Sequence, residues 1–386
     1  MKRYDYIIAG GGLAGLSLAF YMNQSVLRNK QILIIDKDRK DKNDHTWCFW
    51  ETDRENPFDP IIFRRWSEVG FYGSGGFEKK LDLGDYNYKW IRGIDFYDFV
   101  KTDLATNANI TFLHTSIERM TSTADGGFVI TEAGQFIADY VFDSVTPLRI
   151  DNPKRQNMLQ HFKGWEITTP QAAFDPDVPI MMDYRVEQIG LGVRFSYVLP
   201  IDRKRAFIEY TVFSDALLTQ ADYDRELHTY IRDILGIEEF EIHHEEFGVI
   251  PMTDELPETP RDSRVIKIGT SGGYVKASSG YAFKRTQWLT QELVSQLLTL
   301  EKPSPPKSTL RSWFKHLLDS TLLNVLLNER ASGKVIFTQL YQKNPTPKLL
   351  AFLDGKSALP DDLRIMSTVP LWAFIKGMID TLIKRF

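Results

Sequence analysis

One cysteine, Cys48, in a chain of 386 residues excludes an intrachain disulfide framework and any paired-cysteine metal site, and no metal is expected. Such scarcity fits a reducing compartment, so a cytoplasmic setting is expected. No run of about 18 uncharged apolar residues occurs, and no spanning helix is expected. A surplus of one charge is also missing: 47 Lys and Arg face 51 Asp and Glu, a formal net charge of −4. That balance offers no general attraction to phosphate backbones, which argues against nucleic acid as a partner. There are no internal repeats. What is present, 43% hydrophobic and 25% charged residues, is the composition of a folded chain long enough for two or three domains, or for one large α/β body with an insertion. Aromatic residues are plentiful at 13%.

Lys2 and Arg3 ahead of IIAGGGLAGLSLAF have the outline of a signal peptide, but Asp5 interrupts the stretch and glycines crowd it, so the segment reads as part of the fold. Tyr4 to Ala9 is a β-prone run. Gly10, Gly12 and Gly15 follow in GxGxxG spacing ahead of a helical stretch, LSLAFYMNQ. The first glycine permits a tight turn, the second lets backbone approach a pyrophosphate, and the third lets helix and strand pack closely. The helix N-terminus then faces the phosphate charge. A second strand, QILIID, ends in Asp36, whose carboxylate suits the two hydroxyls of an adenosine ribose.

A simple NAD dehydrogenase would continue with alternating helices and strands. This chain instead passes through a charged, irregular stretch, KDRKDKNDHTWCFWE, then β-prone segments and a strand-like run ending at Asp143. Much later RVIKIGTSGG supplies another strand with a glycine turn, just before a helical stretch from Tyr281 to Leu300. A nucleotide-binding start, β-rich insertions and a late return describe a two-domain FAD protein. The expected cofactor residues are Gly10, Gly12, Leu13, Ala14, Gly15, Asp36 and Lys37, with Gly269, Gly272 and Gly273 from the late turn.

The expected organisation is an FAD-binding domain over 1–151, a β-rich substrate domain over 152–260, the returning strand and helix over 261–301, and a helical region over 302–386. A Pro/Ser linker, KPSPPKS, opens the last part. The terminal segment places Leu371, Phe374, Ile375, Met378, Ile379, Leu382, Ile383 and Phe386 on one face, with Lys376, Asp380, Lys384 and Arg385 on the other. That pattern suits a core-packed helix as well as one lying on a membrane surface.

These residues resemble the lycopene cyclases, in the flavoprotein group whose fold also serves aromatic hydroxylases and geranylgeranyl reductases. The resemblance runs along most of the chain. It is carried by GGGLAGLSLA with Asp36, DHTWCFWE, QHFKGWEI, PIMMDYR, SYVLP, AFIEYT, GVIPM and GTSGGYVKASSGY, in that order. It implies an α/β fold with an α+β insertion, a Rossmann-like FAD-binding domain beside a mixed sheet, and a helical C-terminal region. It also implies redox-neutral closure of the acyclic ends of lycopene into β-rings, requiring reduced FAD, with NAD(P)H as an electron donor. The substrate being a membrane-dissolved hydrocarbon, peripheral contact with the inner face of the cytoplasmic membrane is expected.

The family's FLEET or FLEDT segment stands here as FIEYT, so its glutamate corresponds to Glu209, while Tyr210 replaces the acid that follows. Glu209 is the expected acid or base and Asp183 a second catalytic candidate. Trp47, Phe207 and Tyr184 are expected to line the substrate path; Trp165 and Tyr197 are either lining or ordinary core aromatics, and His45 a flavin attachment, a base or a structural loop residue. Protonating an alkene demands an undissociated, positioned acid and a cavity shielded from water. Strand alternation puts Phe207 and Glu209 on one face, Ile208 and Tyr210 on the other. Without the resemblance Glu209 would read as an exposed acid on a strand. The competing functions are an FAD-dependent isoprenoid reductase or aromatic hydroxylase, and a non-catalytic flavin- or lipid-binding protein.

Overall fold

A computed structural model describes residues 1–52, 56–188, 192–255, 257, 260, 262–303 and 309–385. Most of the expected linker, 304–308, and Phe386 lie outside them. The strand Lys2–Ala9 forms the centre of a largely parallel sheet. Ile7, Ile8 and Ala9 are fully buried, as a β-branched run covered on both faces must be. Ile32–Asp36 and then Ile110–His114 lie parallel on one side, and Gly134–Asp143 on the other. The late strand Val265–Lys267 joins the far end of Gly134–Asp143 in parallel, while the antiparallel pair Ile117–Thr123 and Gly126–Thr131 covers its near end. The chain therefore returns to its first sheet as the sequence pattern implies. The returning helix Phe283–Leu300 packs on the first helix, Leu13–Asn23, where Gln287 Nε2 donates to Ser17 Oγ at 2.9 Å.

A second, mixed sheet runs in the order Glu241–Thr253, Asn157–Thr168, Arg205–Ser214, Val193–Pro200, Ile180–Asp183, Glu68–Tyr72, Glu78–Asp82. Its last two strands come from the first 151 residues, so sheet membership crosses the boundary expected there. Alternation divides its faces. On Arg205–Ser214, Ala206, Ile208, Tyr210 and Val212 share a core with residues of the helix Gln220–Thr229. Phe207 and Phe213 enter the large core on the other face, together with the C-terminal helices.

Thr46–Glu51, part of the stretch expected to be irregular, is a strand. It pairs antiparallel with Asn87–Arg92, which also takes Arg64–Trp66. Its partner lies far along the chain, so no local period announces it. Lys89, 1% exposed, anchors this small sheet: its ammonium lies 2.6 Å from Glu51 and 2.7 Å from Asp59.

The C-terminal helices Leu310–Leu327 and Leu371–Arg385 pack together, with Gly377 so close to Val325 that a β-carbon there would fall 2.8 Å from its methyl. The apolar stripe expected on one face of the terminal helix divides. Phe374 turns inward beside Gly377 and Thr381, whereas Leu371, Trp372, Ile379 and Ile383 stay exposed, Trp372 at 75%. Among the described residues no helix is long and apolar enough to cross a membrane.

Replacing Lys89 by Met strands Glu51 as a buried charge without its partner. It should lower the unfolding free energy by about 3–5 kcal/mol, and adding Glu51→Leu should recover much of the loss. Urea titrations of the two variants beside the wild type measure both effects; an unchanged midpoint in Lys89→Met removes the anchoring role.

Candidate active site

The first turn is shaped by contacts as well as by spacing. Gly10 adopts φ +106°, a left-handed value that favours glycine. A β-carbon on Gly15 would lie 1.9 Å from the Gly10 carbonyl oxygen, so only glycine lets the helix close on the strand. Gly12 differs: a β-carbon there would meet nothing within 4 Å, and the residue borders a cavity. The helix beginning at Leu13 has no side-chain cap at Gly12 and no acid in its first turn. Its free N–H groups and positive end therefore face open space, which fits a pyrophosphate.

Asp36 lies at the same mouth. Its Oδ2 accepts the Gly11 N–H at 2.6 Å and its Oδ1 the Asp38 N–H at 2.8 Å, and each oxygen keeps a second lone pair for a hydroxyl group. Lys37 is exposed and does not border the cavity; half-buried Lys40 does, 3.2 Å from Asp44. Of the late glycines, Gly269 reaches the cavity with Thr270. Gly272 and Gly273 do not: a β-carbon on Gly272 would strike Ile268, and Gly273 holds φ +74°, so both shape the turn.

The cavity, of about 470 Å³ and open to solvent on one side, continues from these elements to the inner face of the second sheet. There Tyr197, Glu209, Gly164 and Glu246 stand in register across four adjacent strands. Direct register partners share a face, so this row points one way. Its glutamates and Tyr197 border the cavity, with Phe162 and Leu199. The Phe207 ring lies over Gly164, where its tip would come within 2.2 Å of a β-carbon.

Glu209 is half-buried where it borders the cavity, and the protein packed around it pushes its carboxyl up to about 8. The Thr211 hydroxyl donates to Glu209 Oε1 at 2.5 Å and opposes this rise, while the charge on Glu246 adds to it. Tyr210 points to the opposite face, where Arg194 donates to its hydroxyl at 3.2 Å. A carboxylate at position 210 would thus face away from the cavity.

The other expected residues are not all gathered here. Trp47 borders the cavity, stacked on His45 with ring centroids 5.5 Å apart. His45 Nδ1 lies 2.9 Å from Asp44, whose carboxyl accepts from Tyr97 at 2.7 Å; burial raises that carboxyl, but His45, Tyr97 and Lys40 outweigh it and hold it low. Phe207 does not border the cavity: 2% exposed, it belongs to the core and packs across Gly164. Tyr184 is buried among Phe71, Phe195 and Phe337, off the cavity, and Trp165 lies on the opposite face of the sheet. Asp183 is also remote. Its carboxylate is taken up by Arg185, 2.5 Å away, and by the Tyr230 hydroxyl at 2.8 Å, the environment of a structural anchor. The residue that motif reading missed is Glu246, which neighbouring Glu245 matches in type; only register separates them.

Glu209→Gln should stabilise the fold in neutral solution. The wild-type carboxyl binds its proton more tightly folded than unfolded, so between its ordinary value of 4.5 and about 8 each rise in pH weakens the folded state. The variant lacks that slope, with an advantage on the order of 3 kcal/mol near pH 7 that vanishes below pH 4.5. Thermal melts across that range test it; parallel curves for both proteins contradict the raised value.

The sequence model described as lycopene cyclase protein matches residues 5–379. The chloroplastic lycopene beta cyclase of Arabidopsis thaliana is 25% identical over 332 residues, covering 80% of this chain and 62% of that one. That of Capsicum annuum is 25% identical over 298 residues, covering 73% and 58%. The chain thus spans about three-fifths of the length of these relatives. A geranylgeranyl bacteriochlorophyll reductase-like protein from Thermoplasma acidophilum shares the fold with a TM-score of 0.63 at 12% identity, over 99% of this chain and 100% of that one. A flavoprotein/dehydrogenase from Cytophaga hutchinsonii does so at 0.66 and 9%, over 98% and 99%. The fold class expected from sequence is the one observed, and with a family match over nearly its whole length the chain belongs to the lycopene cyclase family.

Proposed function

We propose that this protein closes the acyclic ends of lycopene into β-rings, yielding γ- and β-carotene without net oxidation or reduction. One observation carries the reading: the Glu209 carboxyl, pushed up to about 8 by burial, borders a cavity lined by Phe162, Tyr197 and Trp47 and continuous with the GxGxxG turn. FAD fits that turn. The amides at Gly12, Leu13 and Ala14 would hold its pyrophosphate, Asp36 its ribose hydroxyls, and the Gly269–Thr270 backbone would approach it from the other side. When bound in reduced form it supplies an electron-rich surface beside developing positive charge.

The remaining work falls to this chain's residues. Glu209 gives its proton to the terminal double bond, leaving a tertiary cation that an internal double bond attacks. The carboxylate so formed lies close enough to balance the positive charge. The Phe162, Tyr197 and Trp47 rings exclude water that would trap the cation as an alcohol and offer it their π faces. Substrate arrives from a bilayer, and the exposed Leu371, Trp372, Ile379 and Ile383 form the proposed contact with it.

Anaerobic incubation with lycopene, FAD and dithionite should give ring-bearing carotenoids, and with NADPH as reductant no stoichiometric consumption; oxidation of one NADPH per product replaces this reading with a reductase. Glu209→Gln should retain flavin absorbance while losing at least about 100-fold in turnover. Wild-type turnover should fall as pH rises through about 8, because only the protonated acid acts. For the membrane contact, Trp372→Glu with Ile383→Lys should reduce co-sedimentation with liposomes at unchanged flavin content; equal sedimentation removes this surface from the account.

A further inference from the structure

The cavity contains a second carboxyl group that proton delivery leaves unused. Gly164 is the register partner of both Glu209 and Glu246, so the two glutamates flank it in one row, their α-carbons about two strand spacings, roughly 10 Å, apart. Between them there is no side chain of Gly164 but the Phe207 ring lying across it. Both glutamates border the one cavity, on either side of the strand that carries Gly164. Enzymes that divide acid and base work between two carboxyl groups hold the reacting group in such a gap.

Glu246 is 6% exposed. Its Oε1 accepts the Thr46 N–H at 3.1 Å, but its Oε2, equally buried, has no hydrogen-bond partner although the residue borders the cavity. An oxygen left open in this way costs stability unless a ligand meets it. Glu245, one residue earlier, alternates outward to an ion pair with Lys163 at 3.0 Å and has no such vacancy. Burial raises the Glu246 carboxyl too, yet Thr46, His45 and His244 favour its ionised form, and its charge in turn lifts Glu209. The two environments differ: Glu246 has an N–H donor and two nearby imidazoles that favour its ionised form, whereas Glu209 has only the Thr211 hydroxyl.

The geometry points to Glu246 as the base that removes the ring proton after Glu209 has delivered one across the same cavity. This rests on the cyclisation reading. The Glu209 O–H bond breaks as its proton forms a C–H bond with the less substituted carbon of the terminal alkene, and the adjacent carbon becomes a tertiary cation. The π pair of the internal alkene forms the ring bond to that cationic carbon and leaves the charge on the other carbon of the internal alkene. Glu246 then takes a proton from the ring carbon beside the cation, whose C–H pair becomes the new ring double bond. One proton is given and one received, with no change of oxidation state, and passage of a proton from Glu246 to Glu209 through water restores the pair.

The test uses the flavin-loaded full chain with lycopene in D2O. Glu246→Gln, which preserves the acceptor for Thr46, should lower β-ring formation about 10²–10⁴-fold. Because the first protonation still occurs and reverses, deuterium should accumulate at the terminal alkene of recovered lycopene. Glu209→Gln should give neither ring nor deuterium, and Glu246→Asp should regain part of the rate. A merely structural role for Glu246 predicts slow turnover with unlabelled lycopene, and that result, or full turnover by Glu246→Gln, overturns the proposal. Lycopene left unchanged by the wild type overturns the cyclase reading itself, and the role of Glu246 with it.

Discussion

A carboxyl group that stays protonated at neutral pH has to be kept from water, and much of this molecule serves that end for Glu209. Desolvation is the largest influence on it, outweighing the hydroxyl that Thr211 offers its ionised form. The burial comes from elements far apart in sequence: the strand pairs on either side, the first sheet and its glycine turn across the cavity, and the Thr46–Glu51 strand at its edge. The C-terminal helices contribute from behind, by completing the core into which Phe207 and Phe213 project. Keeping an acid neutral is thus a property of the assembled sheets and not of the FIEYT segment.

The same assembly connects two sites of different character. At one, an uncapped helix end and a glycine with space above it present backbone N–H groups to an anion. At the other, Phe162, Tyr197 and Trp47 line the space beside the carboxyl groups of Glu209 and Glu246. A single cavity joins them because the returning turn at Gly269 and the inner sheet close over the first turn together. Gly164 matters here by what it lacks. Any side chain at that position would collide with Phe207 and crowd the gap between Glu209 and Glu246.

Much was readable from local patterns. The GxGxxG turn, the acid ending the second strand and the late glycine strand all rest on short-range geometry, and all three occupy the expected places. Alternation along Arg205–Ser214 correctly parted Glu209 from Tyr210, since a strand's period of two holds whatever it packs against. Where a residue's role depends on partners distant in sequence, local reading went astray. Lys37, one residue past Asp36, turns to solvent, and Gly272 and Gly273 serve their own turn. Asp183 and Tyr184 sit in a well-marked motif but meet Arg185, Tyr230 and Phe337 instead of the cavity. The terminal stripe was visible, yet which of its residues pack inward depended on where the Leu310–Leu327 helix lies against it.

The sequence by itself determined the class of fold, the GxGxxG turn between its first strand and helix, and the strand that carries Glu209, because each is set by covalent spacing and by the two backbone periods. Only the tertiary structure decided which acids share a cavity. Glu245 and Glu246 are chemically identical neighbours, and Glu246 becomes the one beside Glu209 because antiparallel pairing through Gly164 sets its register and face. Pairing of this kind depends on the packing of whole sheets, and so does the desolvation that turns an ordinary glutamate into an acid protonated at neutral pH.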